Sequence, residues 1–507
     1  MLVFILLFQY FTFATEQSIE EKVGQLFIIG INGKSLTSTT KEQLDKIKPG
    51  GVILFRHNIS SPYGTYKLNA SLQAWANKSS LSPLLIGVDQ EGGVVNRIKT
   101  YPKAPSAAII GKQLNTNKIT DYASALGNLL YDYGFNLNFA PVLDQTTANY
   151  GDFIGTRSFS PNMGRLITAS SAFAKGLKSQ GVLTVGKHFP GHGRISVDSH
   201  VSLPKINLDA DQLTQTSAKP FIHLYKNNLL DAVMVGHLSF PKIDSSSLPA
   251  TFSRPLLTGY MRDTILYQGL IITDDIEMKA AGISERPEER AVLAIEAGAD
   301  MIMVAWNPKS QLAAYKGILD AVKSGRITIQ RINESINRIQ TAKSTIKPIQ
   351  HWTTIGAFKN AIQKIPWAKA VTAIKLPDVN VTSLRTKLSV YEDSRVTVAS
   401  ADPAFLKSYS KYNKILIHEN SEIDTIEESI DSKTLLVYHS TSPKTYRLLS
   451  SLSPKLKSQI IVINSSRPEI QDDNYFFVAN FFERSKRLEG IVMSELKSLR
   501  SPASNNH

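Results

Sequence analysis

The stretch LTVGKHFPGHG, residues 183–193, is a short run of aliphatic and β-branched residues that leads directly into a loop rich in glycine and histidine. Seven similar apolar runs recur before residue 345, and stretches with helical periodicity separate them. Continuous apolarity over so few residues is typical of strands that are buried on both faces of a parallel sheet. Eight strands that alternate with helices predict a TIM-like (β/α)8 barrel of the α/β class. The predicted strands are 26–30, 51–55, 84–88, 137–139, 183–187, 232–236, 270–273 and 301–304.

The region after the barrel predicts a second, smaller domain. The run 327–343 has the amphipathic pattern of a last barrel helix, and 347–352 (KPIQHW) begins a connection with a helix that continues to about residue 374. Strand-like runs then resume at 395–399, 414–418, 434–439, 459–464 and 475–479. A chain of 507 residues is long enough for two domains. We therefore predict a barrel domain over residues 15–345, a linker over 346–378 and an α/β sandwich domain over 379–500.

The amino-terminal segment predicts export. Residues 1–14 form a short apolar run that ends in Thr12-Phe13-Ala14, a small-x-small pattern at which a signal peptidase cuts. The run is too short to span a bilayer comfortably. We expect a cleaved signal peptide, a protein that is secreted or periplasmic in a bacterial envelope, and no stable membrane insertion after cleavage. An uncleaved anchor is the alternative.

Composition excludes several kinds of chemistry. The chain has no cysteine, which excludes disulfides, thiol nucleophiles and cysteine-ligated zinc. Its net charge of +14 is compatible with an anionic partner, but Lys and Arg are scattered and no nucleic-acid motif is present. We therefore expect no nucleic-acid partner and no cofactor. A mildly basic surface that faces an anionic cell wall explains the charge equally well.

The histidine loop, residues 188–200, follows the fifth predicted strand and carries several acid–base side chains. Barrel enzymes place their active groups beyond such strand ends. In one interpretation Asp198 orients His200 for proton transfer near neutral pH. In a second, these two residues bind a metal such as zinc together with His188 and His192. In a third, they are ordinary loop residues that satisfy backbone groups, and the residues alone leave all three interpretations open.

Acidic residues follow two other predicted strands. Asp274 directly follows the run 270–273, which places it at the mouth of the barrel, where a carboxylate can attack an oxocarbenium-like carbon. A helix N-cap is the alternative role, and Asp275 suits it at least as well. Asp89 and Glu91 follow the third predicted strand. They either bind hydroxyl groups of a ligand or form an acidic loop that binds nothing.

Together and in this order, these sites resemble the β-N-acetylhexosaminidase subgroup of glycoside hydrolase family 3, in its two-domain form. The string KHFPGHG…DSH, residues 187–200, is highly specific for the subgroup, and the other motifs are family-wide. The family-wide motifs are residues 20–27, 50–55, 89–93, 138–144, 157–160, 249–253, 273–275 and 296–300. The second domain resembles the α/β sandwich of two-domain members only weakly.

The resemblance implies a retaining exo-β-N-acetylglucosaminidase that removes terminal β-linked N-acetylglucosamine, with peptidoglycan fragments as the expected substrate. It implies that Asp274 is the nucleophile and that His200, backed by Asp198, is the general acid/base. No metal is implied. The residues that it implies for sugar binding are Asp89, Arg157, Lys187 and His188.

Two departures from the family pattern bear on this expectation. Val94 stands where the family usually has Arg, and Arg194-Ile195 stand where it usually has Asp-Thr. We expect the first to remove a buried cation that pairs with a strand-end carboxylate, and the second to reverse a charge inside the histidine loop. The alternatives are a phosphorylase of the same glycosides, a metal-dependent hydrolase, and a catalytically impaired protein that binds the cell wall.

Overall fold

Eight parallel strands close into a barrel in the computed structural model, which describes residues 17–100, 102–147, 152–192, 203–282 and 286–374 and the backbone of five later strands. Neighbouring strands pair in chain order, and the last closes onto the first with Ile302 opposite Phe27. The predicted (β/α)8 fold is confirmed, and all eight predicted strands are present. They are β1 (Phe27–Gly30), β2 (Gly51–Leu54), β3 (Leu85–Val88), β4 (Leu137–Asn138), β5 (Leu183–Phe189), β6 (Ala232–Val235), β7 (Leu270–Asp275) and β8 (Met301–Val304).

Helices cover the outside of the barrel, so the strands are buried on both faces, as their continuous apolarity predicts. Several helices begin at a residue whose side chain accepts from the first turn, as Ser18 does from the Glu21 N–H and Thr328 from the Arg331 N–H. The α-helices are α1 (Ile19–Gln25), α2 (Ser38–Ile47), α3 (Pro62–Lys78), α4 (Ala107–Lys112), α5 (Thr116–Asp132), α6 (Met163–Ser179), α7 (Ala210–Gln215), α8 (Lys219–Lys226), α9 (Pro287–Ala297), α10 (Pro308–Lys323), α11 (Ile329–Ser344), α12 (Ile355–Lys364) and α13 (Trp367–Ala373). A π-helix (Pro255–Thr264) and 3-10 turns at Gly155–Arg157, Ala250–Phe252 and Lys279–Ala281 complete the described helical segments.

Two barrel strands extend beyond their predicted ends. β5 continues to Phe189 and β7 to Asp275, because each goes on pairing with its neighbour past a shift in register. In β5 the extra residue is His188, and in β7 it lies between Ile272 and Asp275, in the segment that contains Asp274. A bulge of this kind changes the direction of nearby side chains. His188 and Asp274 therefore leave the regular pleat at the carboxyl ends of their strands.

Two short helices occupy the connection after the barrel and pack against its outer surface. Phe358 of α12 contacts the rings of Tyr66 and Tyr133, with centroids 5.7 and 5.9 Å away. Trp367 of α13 lies 5.5 Å from the ring of Tyr122. Both Phe358 and Trp367 are buried, so this part of the predicted linker is packed onto the barrel.

Five parallel strands follow within the region predicted as an α/β domain. Their order in the sheet is β10-β9-β11-β12-β13. They are β9 (Arg395–Ser400), β10 (Asn413–Leu416), β11 (Thr434–Ser440), β12 (Ile460–Asn464) and β13 (Phe477–Asn480). Within the described part of the chain, no helix combines the length and the apolarity that a bilayer-spanning helix needs. The signal peptide predicted for residues 1–14 lies outside the described residues and stays a prediction.

Candidate active site

Polar side chains from several strand ends meet in one cavity at the carboxyl end of the barrel. Its volume is about 390 Å³. Asp89 and Glu91 come from the segment directly after β3, Lys187 and His188 from β5, and Asp274 from β7. Arg157 reaches the cavity from the loop after β4. The structure thus brings together all the predicted site residues that it describes: Asp89, Arg157, Lys187, His188 and Asp274.

Two buried cations and two carboxylates form a connected network on one side of the cavity. Lys187 Nζ lies 2.8 Å from Asp89 Oδ1 and 2.7 Å from Glu91 Oε1. Arg157 donates to both oxygens of Glu91 through Nε and Nη2, each at 2.9 Å. Burial alone would raise the pKa of Glu91, but Arg157 and Lys187 lower it to about 2. Glu91, Arg157 and Lys187 therefore stay charged over the physiological pH range, and the network presents fixed donors and acceptors to a ligand.

Asp144 orients the two histidines at the start of the histidine loop. Its Oδ2 accepts from His188 Nδ1 at 2.7 Å and from the His188 main-chain N–H at 3.1 Å. Its Oδ1 accepts from the His192 N–H at 2.8 Å and lies 3.3 Å from His192 Nδ1. Burial lowers the pKa of His188 despite the adjacent carboxylate, and the Nδ1–H is donated to Asp144. His188 Nε2 is then left beside Arg157 Nη2, 3.5 Å away, at the cavity.

Asp144, His188 and His192 are also a group whose ligand atoms lie close enough to hold a metal ion. Their proximity is explained by the four hydrogen bonds that the Asp144 oxygens accept from the two histidines. The metal interpretation of the histidine loop also involves Asp198 and His200, which lie outside the described residues, so it stays a prediction. His192 is buried and bonded to Asp144, so it anchors the start of the histidine loop.

The acidic pair at the end of β7 divides into two environments. Asp274 borders the cavity, and its Oδ1 accepts from the Asp275 N–H at 2.8 Å. Burial raises the pKa of Asp274, but His188, His237 and the Asp275 N–H outweigh it, so the net pKa is lowered and the carboxylate is ionised. Burial raises the pKa of Asp275 to about 7.

Asp275 anchors a turn instead of capping a helix. Its Oδ1 accepts from the main-chain N–H groups of Glu277, at 3.1 Å, and Ala305, at 3.2 Å. The strand continues through Asp275, and the 3-10 turn that follows begins after Met278. The alternative that made Asp274 or Asp275 a helix N-cap is therefore wrong, because this strand does not lead directly into a helix.

One expectation about the family departures is also wrong. Val94 is 71% exposed, so an Arg at this position would not be a buried cation. The strand-end carboxylates near it already have cations, since Lys187 contacts both and Arg97 Nη2 lies 3.6 Å from Asp89 Oδ2. Asp198, His200 and Arg194 lie outside the described residues, and their predicted roles stay predictions.

Sequence reasoning passed over two buried residues of the site, Asp144 and His237. Both follow a predicted strand, which is the signal that led to Asp89. His237 Nδ1 lies 2.8 Å from Thr251 Oγ1, and His237 Nε2 lies 3.0 Å from the Asp275 carbonyl oxygen. His237 is thus fixed beside the end of β7, where it helps to keep Asp274 ionised.

Apolar side chains also line the cavity. They include Ile53, Phe55, Met234, Met278, Met303 and Trp306. A cavity that combines charged, hydrogen-bonding side chains, apolar side chains and the ionised Asp274 suits a hydroxyl-rich ligand with an apolar face. It also suits nucleophilic attack on an electron-poor carbon of that ligand.

Comparison with known proteins agrees with this arrangement. The family model described as the glycosyl hydrolase family 3 N terminal domain matches residues 18–342. A beta-hexosaminidase of Idiomarina loihiensis is 33% identical over 331 residues, which are 64% of this chain and 97% of that protein. A beta-hexosaminidase of Tolumonas auensis is 34% identical over 296 residues, 57% of this chain and 86% of that protein.

Solved structures extend the similarity. A glycoside hydrolase family 3 beta-N-acetylglucosaminidase from Paenibacillus superposes with a TM-score of 0.74 at 26% identity, over 96% of this chain and 97% of that one. NagZ from Neisseria gonorrhoeae, in complex with N-trifluoroacetyl-D-glucosamine, superposes with a TM-score of 0.56 at 29% identity, over 69% of this chain and 96% of that one. The similarity to the Paenibacillus enzyme includes the region after the barrel. The similarity to NagZ covers a share of this chain that is close to the length of the barrel region.

Proposed function

The chain belongs to glycosyl hydrolase family 3, and from that premise we propose that this hydrolase is a retaining, exo-acting β-N-acetylglucosaminidase. It is a glycoside hydrolase of the beta-hexosaminidase type, as its similar relatives are. The proposed substrates carry a terminal, non-reducing β-linked N-acetylglucosamine, and fragments of peptidoglycan are the expected source. The observation that carries the proposal is the ionised Asp274 in a cavity whose other polar side chains are held in fixed positions.

Asp274 is the proposed nucleophile. A carboxylate that forms a covalent glycosyl intermediate must be ionised and must reach the anomeric carbon. The low pKa of Asp274, which His188, His237 and the Asp275 N–H maintain against burial, meets the first requirement. Its position in the irregular end of β7, at the border of the cavity, favours the second.

His200, oriented by Asp198, is the proposed general acid/base. The specific string at the histidine loop supports this role, and neither Asp89 nor Glu91 is free to take it. Asp89 and Glu91 both contact the Lys187 ammonium. Arg157 and Lys187 lower the pKa of Glu91 to about 2 against burial, so Glu91 has no proton to donate near neutral pH. An imidazole titrates near neutral pH without such adjustment.

The proposed reaction has two steps. In the first, an Asp274 oxygen bonds to the anomeric carbon while the bond to the leaving oxygen breaks, and protonated His200 gives its proton to that oxygen. In the second, neutral His200 takes a proton from water, whose oxygen attacks the anomeric carbon and releases Asp274. Two inversions retain the configuration of the sugar. Lys187 and Arg157 donate to its hydroxyls, and these contacts strengthen as the ring flattens.

Export and a wall substrate are parts of the same proposal. The apolar run at residues 1–14 favours secretion or a periplasmic location, and the net charge of +14 favours an anionic polymer as the carrier of the sugar. Mass spectrometry of the protein recovered from its native host tests the location. A mature amino terminus near residue 15 outside the cytoplasm supports export, and an intact chain inside the cytoplasm contradicts it.

The hydrolase proposal is tested with a chromogenic β-N-acetylglucosaminide. Asp274→Asn should reduce kcat by roughly a thousandfold or more, because the replacement removes the nucleophile with little change of shape. Asp263→Asn makes the same change at an exposed position and should retain the wild-type rate. Equal rates in the wild type and in Asp274→Asn would contradict the proposed nucleophile.

The products test the stereochemistry and the acceptor. Proton NMR during turnover should show the β-anomer of N-acetylglucosamine first, and early α-anomer would contradict a retaining mechanism. A parallel reaction with phosphate should give the same free sugar. Sugar 1-phosphate as the main product would instead identify a phosphorylase.

A further inference from the structure

An aromatic platform stands beside the catalytic cavity. It consists of Trp306, which follows β8, and Phe55, which follows β2; both line the cavity that contains Asp274. Their rings stack with centroids 4.3 Å apart and an angle of 22° between planes. Phe55 covers one face of the indole, yet Trp306 remains 56% exposed. A large, flat apolar surface is therefore available to a ligand at this position.

The backbone that carries Trp306 is fixed by the turn after the nucleophile. Glu277 Oε2 accepts from the Trp306 N–H at 2.8 Å and from the Asn307 N–H at 3.2 Å. Asp275 Oδ1 accepts from the N–H of the preceding residue, Ala305. An exposed indole that is held in place in this way loses little conformational freedom when a ligand stacks on it.

Burial indicates which part of the substrate this platform would meet. The polar residues that hold the terminal sugar are deeply buried, with Lys187 2% and Glu91 4% exposed. Trp306 is the most exposed large apolar residue in the lining of the cavity, so it lies at the end of the cavity nearest to solvent. In an exo-acting enzyme the terminal sugar occupies the buried end, so the rest of the glycan must leave past the exposed end.

We propose that the Trp306–Phe55 platform binds the sugar on the leaving-group side of the scissile bond by stacking against its apolar face. This inference rests on the proposed exo-glycosidase function and adds to it a residue that selects the leaving group. The contacts on the platform are apolar, whereas those to the terminal sugar are polar and charged. The platform therefore favours a pyranose leaving group over a small one. It takes no part in bond making or bond breaking at the anomeric carbon.

The test compares two substrates that share the terminal sugar. One is the β-1,4-linked disaccharide of N-acetylglucosamine, and the other is β-N-acetylglucosaminyl fluoride, whose leaving group is too small to reach the platform. Trp306→Ala should lower the ratio of kcat/KM for the disaccharide to that for the fluoride by about tenfold, which is the order of one aromatic stacking contact. Trp306→Phe should restore most of the ratio.

A matched control and a binding measurement complete the test. Ile355→Ala truncates another exposed apolar side chain, outside the cavity lining, and should leave the ratio at the wild-type value. An unchanged ratio in Trp306→Ala would overturn the platform proposal while leaving the hydrolase function intact.

In the Asp274→Asn background, calorimetry should show that Trp306→Ala weakens binding of the disaccharide about tenfold and that of free N-acetylglucosamine far less. Equal weakening of both would also overturn the proposal. Wild-type protein that cleaves neither substrate would contradict the proposed function, whereas the binding measurement would still decide on the platform.

Discussion

Glu91 balances two buried cations beside the cavity, and its charge has consequences for stability as well as for the site. Its carboxylate contacts both Lys187 and Arg157 at distances of 2.7 to 2.9 Å. A buried charge that loses its partner carries a large desolvation cost, which makes a broken pair far worse than an absent one. Asp89 contacts Lys187 as well, so Arg157 depends on Glu91 the most.

Glu91→Gln should lower the free energy of unfolding by about 3 kcal/mol at pH 7, because it leaves Arg157 buried beside a neutral amide. The pKa of Glu91 is lowered from 4.5 to about 2 when folded, chiefly by Arg157 and Lys187 acting against burial. The stabilising contribution is therefore present above pH 4.5 and is lost as the pH falls towards 2. Urea unfolding across this range measures it. Glu42→Gln, at an exposed position of α2, should cost little at any pH, and an equal loss in both variants would contradict the role of the pair.

Asp275 predicts the opposite pH dependence. Burial raises the pKa of this carboxyl to about 7, so the folded protein holds a proton that the unfolded chain releases near pH 3.8. Its contribution to stability is complete below pH 3.8 and is lost as the pH rises through 7. Asp275→Asn keeps an oxygen that can accept from Glu277 and Ala305 but cannot ionise. The variant should gain stability relative to the wild type between pH 5 and 8, by about 3 kcal/mol. A constant difference in urea unfolding over that interval would show that Asp275 does not titrate there.

At the scale of elements, the strands were predictable because each barrel strand is a continuous apolar run, whereas their irregular ends were not. The bulges in β5 and β7 arise from pairing with β6 and β8, and no local pattern records that pairing. The same distinction applies to the site. Asp274 and Lys187 follow from their positions at strand ends. The hydrogen bonds from the histidines to Asp144 form because β4 and β5 are paired neighbours in the barrel, and the local sequence does not record that pairing.

The last barrel helix, α11, carries a buried lysine that the amphipathic pattern does not predict. Lys343 Nζ lies 2.8 Å from Gln25 Oε1 and 3.2 Å from Ser82 Oγ, both neutral oxygens. Burial lowers the pKa of Lys343 to about 7. Between pH 7 and 10.5 the unfolded chain therefore binds more protons than the folded one, and stability rises with pH over this window.

Lys343→Met should remove that rise, because methionine fills a similar volume and does not titrate. At pH 7 the variant should be as stable as the wild type or more stable, and the wild type should gain on it by up to about 4 kcal/mol as the pH approaches 10. Thermal or urea unfolding at pH 7, 8.5 and 10 measures the difference. Lys323→Met replaces an exposed lysine of α10 and should show no such trend. A parallel trend in the two variants would exclude Lys343 as its origin.

For the molecule as a whole, the packing of α12 and α13 bears on where the catalytic unit ends. The predicted barrel domain stops at residue 345, yet Phe358 and Trp367 of the predicted linker are buried against Tyr66, Tyr133 and Tyr122 on the outer layer of the barrel. The relative from Idiomarina loihiensis is matched over 97% of its length by 331 residues, so a beta-hexosaminidase of this family can consist of the barrel region alone. A shortened form of this chain should therefore fold, provided that it keeps the two helices.

We expect a fragment of residues 15–374 to hydrolyse the chromogenic substrate within about threefold of the full-length rate, a difference under 1 kcal/mol in transition-state stabilisation. A fragment of residues 15–345 should unfold at a clearly lower temperature, because it exposes the aromatic surface that Phe358 and Trp367 cover. Each large buried aromatic accounts for about 3 kcal/mol or more. Phe358→Ala in the full chain isolates part of this loss without truncation, and its melting temperature should fall between those of the full chain and the shorter fragment. If the two fragments had the same melting temperature, α12 and α13 would not stabilise the barrel, and the catalytic domain would end at residue 345.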